Sequence, residues 1–134
     1  MTNRNGRILI VDDDKSFRDS AAELLEAHNY VAFKASSGFA AAEILSANHF
    51  DIIITDIYMP DGNGIELLNT IRRTNPDLPT VIVVTGDPDA QDREILGLGA
   101  HAIFQKPFSM VDLLNEIHKA LSPKFSGKKS AARK

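Results

Sequence analysis

Short runs of apolar residues alternate with longer amphipathic segments five times along this chain, and this alternation limits the fold more than any other feature. The runs are apolar at successive positions, which indicates strands buried on both faces. The predicted strands are residues 8–11, 30–33, 51–55, 80–84 and 101–104. Buried strands separated by helices predict an α/β fold with one doubly wound, five-stranded parallel sheet.

The segments between these strands carry apolar residues at helical spacing. The predicted helices cover approximately residues 16–27, 38–47, 64–74, 90–98 and 109–121. We expect Asp14 to cap the first helix and Ser109 to cap the last, with Gly99 as the stop signal of the fourth. Five strand–helix units fit an open sheet, since a closed barrel needs eight.

Length and composition favour one globular domain. The 134 residues contain 43% hydrophobic and 25% charged side chains, and no internal repeat or linker divides them. We therefore predict a single domain over residues 6–121. The absence of cysteine excludes disulfides and thiolate metal sites. The sequence shows neither a signal peptide nor an apolar run of membrane-spanning length, so we expect a cytoplasmic protein without membrane attachment.

The net charge of −3 is unevenly distributed. Residues 122–134 hold five basic side chains and no acid, and we interpret them as a basic, flexible tail. The rest of the chain holds ten basic and eighteen acidic residues. A body with this acidic excess does not suit the phosphate backbone of nucleic acid, so we expect no direct nucleic-acid binding.

Polar residues stand where four of the predicted strands end. Asp12 and Asp13 follow the first strand, Asp56 follows the third, Thr85 the fourth and Lys106 the fifth. Ligands of open α/β sheets bind at this edge, beyond the carboxyl ends of the strands. Clustered carboxylates repel one another unless a cation joins them, and a small set of oxygen ligands suits Mg²⁺ better than Ca²⁺. With a lysine opposite, such a pocket could hold a phosphoryl group.

These motifs, in this order, resemble the receiver domain of two-component response regulators. The similarity covers residues 6–121 and has four parts, which are the acidic pair after the first strand, the Asp56-Ile57-Tyr58-Met59-Pro60-Asp61-Gly62-Asn63-Gly64 loop, Thr85, and Lys106-Pro107-Phe108. The resemblance implies a flavodoxin-like (βα)5 fold with strand order 2-1-3-4-5. It also implies a cis bond before Pro107.

The resemblance implies a role for each site residue. Asp56 is then the phosphoacceptor, and Lys106 and Thr85 bind phosphoryl oxygens. Mg²⁺ is ligated by Asp13, by Asp56 and by the backbone carbonyl of Tyr58. Asp12 acts on the metal mainly through a bound water.

As a receiver, the chain is expected to accept a phosphoryl group from a sensor histidine kinase, a histidine phosphotransfer protein or a small phosphodonor. Its only catalysis would be self-phosphorylation and slow autodephosphorylation, so it is not expected to be an enzyme in the usual sense. Phosphorylation would switch the face formed by the fourth helix, fifth strand and fifth helix. That face would meet a downstream protein or output domain that the sequence does not name, or could form a phosphorylation-dependent dimer.

The sequence departs from the family's pattern at the switch aromatic. Receivers usually carry Tyr or Phe three residues before the lysine, and here that residue is Ile103. Phe104 is next, but a one-residue step along a strand reverses the face. Either Ile103 makes a smaller inward rotation, or the signal relies on backbone movement after the fourth strand. We predict that the fourth helix shifts most.

Three other functions compete with this interpretation. A phosphatase with an Asp nucleophile needs a second acid two residues on, where this chain has Tyr58. A nucleotide- or flavin-binding domain needs a glycine-rich loop after the first strand, where three aspartates stand instead. The remaining alternative is a receiver that binds partners without being phosphorylated. Nothing in the sequence favours it.

Overall fold

The structure, a computed structural model, describes residues 6–60, 63–74, 79–86 and 92–121. The predicted tail at residues 122–134 lies outside these ranges, as do residues 90–91 of the predicted fourth helix. Strands and helices alternate in the order β1 (Gly6–Val11), α1 (Lys15–Ala27), β2 (Tyr30–Ala35), α2 (Gly38–Leu45), β3 (Ile52–Asp56), α3 (Gly64–Thr74), β4 (Thr80–Thr85), α4 (Asp92–Gly97), β5 (Ala102–Gln105) and α5 (Met110–Leu121).

All neighbouring strands pair in parallel, and the sheet order is β2-β1-β3-β4-β5. The predicted fold class and strand order are therefore confirmed. From β1 the chain first adds β2 on one side of β1 and then adds β3, β4 and β5 on the other side. The winding direction therefore reverses between β1 and β3. Such a reversal opens a crevice at the carboxyl ends of these strands.

The strands are apolar throughout because helices cover both faces of the sheet. In β1, Leu9 and Val11 pack into the core layer that includes residues of α2 and α3, while Ile8 and Ile10 pack into the layer that includes α1 and α5. All four side chains are fully buried. Burying one such side chain contributes about 1.5–3 kcal/mol, so these four residues stabilise the fold substantially.

The helix caps expected at both ends of the domain are present. Asp14 accepts hydrogen bonds from the backbone N–H groups of Ser16 and Phe17, and Ser109 Oγ accepts one from Val111 N at 3.1 Å. Element ends differ from prediction by a few residues, as at β5, which starts and ends one residue later than predicted. Local patterns define such ends poorly, because the terminal hydrogen bonds depend on the neighbouring strand.

Ile103 and Phe104 face opposite layers, as predicted. Ile103 packs beside the α2–α3 layer, whereas Phe104 packs beside the α1–α5 layer, with its ring centroid 5.3 Å from that of Phe108. Phe104 therefore does not stand in for an aromatic residue at position 103. Among the described helices, none has the length and apolar character to cross a membrane.

Candidate functional site

Three carboxylates meet at the carboxyl edge of the central strands. Val11 is in register with Thr55, so Asp12 and Asp56 are the next residues on two adjacent strands. Carboxylate oxygens of Asp12, Asp13 and Asp56 all lie within 4.8 Å of one another. This is the only such group of potential metal ligands within the described ranges, and it comprises the three acids chosen from the sequence.

Asp12 is fully buried and has a hydrogen bond at each carboxylate oxygen. Its Oδ1 accepts the backbone N–H of Asp14 at 2.9 Å, and its Oδ2 accepts from Lys106 Nζ at 2.8 Å. Arg18 donates to the Asp12 backbone carbonyl at 2.8 Å, which ties α1 to the end of β1. Asp12 is thus held rigidly at the base of the site, while Asp13 beside it is exposed.

Asp56 ends β3 with only 9% of its surface exposed. Its Oδ1 accepts the backbone N–H of Ile57 at 2.7 Å, and its Oδ2 lies 3.5 Å from Lys106 Nζ. Burial raises the pKa of Asp56 above that of an ordinary aspartate; Lys106 opposes this shift, and the charge of Asp12 adds to it. The negative charges at this site are therefore incompletely balanced by the protein alone.

Thr85 and Lys106 lie at the same edge because β4 pairs with both β3 and β5. Asp56 is in register with Val84, so Thr85 comes one residue beyond it, and Thr85 is 1% exposed. The Thr85 carbonyl accepts the Lys106 backbone N–H at 2.7 Å. Burial lowers the Lys106 pKa, but the hydrogen bond and charge of Asp12 outweigh it, and the net pKa is raised. Lys106 is thus a cation at neutral pH.

The loop after β3 passes so close to α3 that only glycine fits at the start of the helix. A Cβ on Gly64 would lie 2.1 Å from the Asp56 carbonyl oxygen, and Gly64 N donates to the Ile57 carbonyl at 2.8 Å.

Tyr58 is 61% exposed on this loop. Asp61 and Gly62 of the motif lie outside the described residues. The predicted cis bond between Lys106 and Pro107 is present.

The histidines are not part of this site. His101 Nε2 lies 2.6 Å from Glu116 Oε2, and His118 Nδ1 lies 2.5 Å from the Tyr30 hydroxyl. Both contacts join distant parts of the chain and involve none of the three clustered acids. Two contacts of the site were missed in the sequence, the Asp12–Lys106 hydrogen bond and the position of Lys106 Nζ 4.8 Å from the Phe17 ring centroid. No local pattern reports them, because the partners are about ninety residues apart.

The residues at this edge suit Mg²⁺. All the candidate ligand atoms are carboxylate oxygens, they lie close together, and one of the three acids, Asp13, is open to solvent. A hard divalent cation prefers such oxygen ligands and retains waters at the open positions. Burial, and to a lesser degree the charge of Asp12, raises the pKa of Asp56, and a bound cation would stabilise its charged form.

Comparison with known proteins agrees with the geometry. The family model described as "Response regulator receiver domain" matches residues 8–118. The response regulator MprA of Mycobacterium sp. strain KMS is 32% identical over 108 residues, which are 81% of this chain and 47% of that protein. The chain thus spans about half the length of the curated relatives it matches.

Solved structures with the same fold include two receiver proteins. A CheY-like response regulator receiver domain protein from Methanospirillum hungatei JF-1 has a TM-score of 0.82 and 32% identity, covering 90% of this chain and 97% of that one. The response regulator TrrA from Thermotoga maritima, in complex with Mg(2+)-BeF, has a TM-score of 0.78 and 27% identity, covering 90% of this chain and all of that one. With its sheet order, its cluster of acids and the lysine opposite, this chain belongs to the response regulator receiver domain family and is a receiver domain of the two-component system.

Proposed function

We propose that this receiver accepts a phosphoryl group on Asp56 in a Mg²⁺-dependent reaction. The observation that carries the proposal is the position of Lys106 Nζ, 3.5 Å from Asp56 Oδ2 and 2.8 Å from Asp12 Oδ2. A carboxylate nucleophile, an acidic metal site and a fixed cation are the components of phosphoryl transfer onto an aspartate.

In the proposed reaction a carboxylate oxygen of Asp56 attacks phosphorus. An O–P bond forms to give an aspartyl phosphate, and the bond from phosphorus to the donor's nitrogen or oxygen breaks, so the leaving group keeps that electron pair. Lys106 pairs with Asp56 before transfer and with a phosphoryl oxygen afterwards, and Thr85 donates its hydroxyl to another phosphoryl oxygen. Gly86 leaves room for the group, since among the described residues, apart from its chain neighbours, no atom lies within 4 Å of the position of an added Cβ.

Asp13, Asp56 and the Tyr58 backbone carbonyl are the proposed direct ligands of Mg²⁺. Asp12 is assigned an indirect contact through water, which fits a carboxylate whose two oxygens already accept hydrogen bonds from Asp14 and Lys106. Bound there, Mg²⁺ would neutralise charge on the transferring phosphoryl oxygens. The response regulator TrrA, which is similar to this chain, was solved in complex with Mg(2+)-BeF, and this supports the choice of Mg²⁺ as the metal.

The proposed donor is a sensor histidine kinase, a histidine phosphotransfer protein or a small phosphodonor. The proposed domain is residues 6–121, followed by the tail at residues 122–134, and the proposed compartment is the cytoplasm. Catalysis is limited to self-phosphorylation and slow autodephosphorylation.

Phosphorylation is proposed to alter the face formed by α4, β5 and α5. This face meets a downstream protein, an output domain or a second phosphorylated copy.

Intact mass after incubation with acetyl phosphate tests the acceptor. We expect one phosphoryl addition that requires Mg²⁺ and disappears in Asp56→Asn. Asp19→Asn is the matched control, because Asp19 is an aspartate that pairs with Lys15 and Lys34 on the surface of α1 and is no part of the site. Phosphorylation that persists in Asp56→Asn contradicts the assignment. If the wild-type chain gains no mass from any phosphodonor, the phosphorylation-independent receiver becomes the better account.

Backbone hydrogen exchange tests the switched face. We expect exchange to change most in α4 and β5 when Mg²⁺ and beryllofluoride are added, because Thr85 and Lys106 stand at the ends of the strands that flank α4. Unchanged exchange across the described part of residues 85–104 would reject this face as the output.

A further inference from the structure

The Lys106 ammonium group has an aromatic partner in addition to its two carboxylates. Nζ lies 4.8 Å from the centroid of the Phe17 ring, within the range in which an ammonium is attracted to the negative face of a π system. Only about a quarter of the Lys106 side chain is exposed. Asp12 and Asp56 bind the ammonium through carboxylate oxygens. The Phe17 ring attracts it through its π electrons instead.

The Phe17 ring is itself held in place. It projects from the first turn of α1, whose N-terminus is capped by Asp14, and it packs against Phe108 with ring centroids 6.2 Å apart and an angle of 74° between the ring planes. Phe108 packs in turn against Phe104 at 5.3 Å. The three rings form an apolar wall that continues the core layer between the sheet, α1 and α5. Phe17 is the ring of this wall that contacts the ammonium.

A π face suits a lysine that must change partners. An ammonium has three N–H donors, and in this structure they serve Asp12 and, at longer range, Asp56. Attraction to a ring depends weakly on direction, so the ammonium can move from Asp12 toward a phosphoryl oxygen while it keeps the ring contact. An aliphatic side chain at position 17 would fill the same space without attracting the charge.

We infer that Phe17 is a positioning residue for phosphoryl chemistry, which acts by holding the Lys106 ammonium between Asp12 and Asp56. This inference rests on the proposed function, because the rate that Phe17 controls is that of phosphoryl transfer. It predicts that Phe17→Leu slows phosphoryl uptake by about three- to tenfold, the range expected for the loss of one partly buried cation–π contact.

The test compares three variants. Phe17→Leu removes the π face, Phe17→Tyr keeps it, and Phe104→Leu is the matched control, since it removes a ring from the same wall at a place that does not contact Lys106. Two measurements are made on each. One is the proton chemical shift of the Lys106 ε-methylene group in metal-free, unphosphorylated protein, and the other is the rate of phosphoryl uptake from acetyl phosphate with Mg²⁺.

We expect an upfield ring-current shift of the Lys106 signal in wild type, Phe17→Tyr and Phe104→Leu, and its loss in Phe17→Leu. Uptake should slow in Phe17→Leu alone. Equal rates in Phe17→Leu and Phe104→Leu would overturn the inference, as would a wild-type Lys106 signal without a ring-current shift. The wild-type measurement needs no variant, so it decides the contact even if Phe17→Leu does not fold. Failure of wild type to gain a phosphoryl group would overturn the proposed function. The Lys106 chemical shift would still show whether the ammonium contacts the Phe17 ring.

Discussion

Lys106 donates its short hydrogen bond to Asp12, at 2.8 Å, and not to the proposed acceptor Asp56, which lies at 3.5 Å. The lysine is therefore anchored by an acid that does not take part in bond formation. The Asp56 oxygen is left only loosely engaged by the cation, so the ammonium need not break a tight ion pair with the nucleophile before transfer.

Replacement of Lys106 by methionine keeps much of the side-chain length and removes the charge. We expect phosphoryl uptake to fall by about 100-fold, because the site loses a preorganised cation that would stabilise the transferring group. Lys34→Met is the control, since Lys34 pairs with Asp19 on the surface. Uptake rates from acetyl phosphate measure the effect, and equal rates in the two variants would remove Lys106 from the reaction.

The raised pKa of Asp56 predicts how its ionisation affects stability in the absence of metal. A group whose pKa is higher in the folded state contributes most below its unfolded pKa, and the contribution is lost as pH rises through the folded value. Asp56→Asn cannot ionise. The difference in unfolding free energy, Asp56→Asn minus wild type, should therefore rise as the pH increases from the unfolded to the folded pKa of Asp56. Above the folded pKa the difference should be constant. Urea unfolding with a chelator present, from pH 4 to 7, measures this, and a difference that falls with pH would contradict it.

Metal binding should stabilise the folded protein, because the carboxylates converge only in the native state. At a Mg²⁺ concentration 100 times the dissociation constant, the expected gain in unfolding free energy is about 2.7 kcal/mol. Asp13→Asn should lose most of this gain, whereas Asp19→Asn should keep it. Thermal unfolding with and without Mg²⁺ provides the measurement. The same gain in both variants would place the metal elsewhere.

Gly64 is predicted to tolerate no larger residue. Gly64→Ala places a methyl group against the Asp56 carbonyl oxygen, and we expect a loss of about 3 kcal/mol in unfolding free energy. Gly97→Ala is the matched control, because outside the helix's own backbone no atom of the described residues lies within 4 Å of an added Cβ, so the substitution should cost nothing or stabilise α4. Urea denaturation measures the unfolding free energy of both variants. Equal values would mean that the loop after β3 moves aside to accommodate the methyl group, and would contradict the prediction.

Tyr58 is expected to protect the phosphoryl group. Its side chain is 61% exposed on the loop that follows Asp56, and we expect the bulky ring to restrict the approach of water to the phosphoryl group. Tyr58→Ala should therefore dephosphorylate faster than wild type. Phe39→Ala is a suitable control, since Phe39 is also an exposed aromatic residue, at the start of α2. Intact mass spectrometry measures the loss of the phosphoryl group over time in both variants. An unchanged dephosphorylation rate in Tyr58→Ala would refute the protective role.

Much of the fold was predictable because it depends on local composition. Runs such as Ile8 to Val11 are apolar at every position only when both faces of a strand are covered, and that pattern is present in the sequence itself. The helix caps Asp14 and Ser109 were likewise predictable, because a cap and the N–H groups it binds lie within three residues. Element ends were less predictable, since pairing across the sheet decides them.

The sequence by itself determined which chemical groups this protein brings to the site, because parallel strands must end at a common edge and Asp12, Asp56, Thr85 and Lys106 each stand at a strand end. Only the tertiary structure decided how those groups pair. The choice of Asp12 as the anchor of Lys106 and the contact of Lys106 with the Phe17 ring depend on how α1 and β5 pack against the sheet. Differences of less than 1 Å between residues far apart in the chain decide such pairings, and no local pattern encodes them.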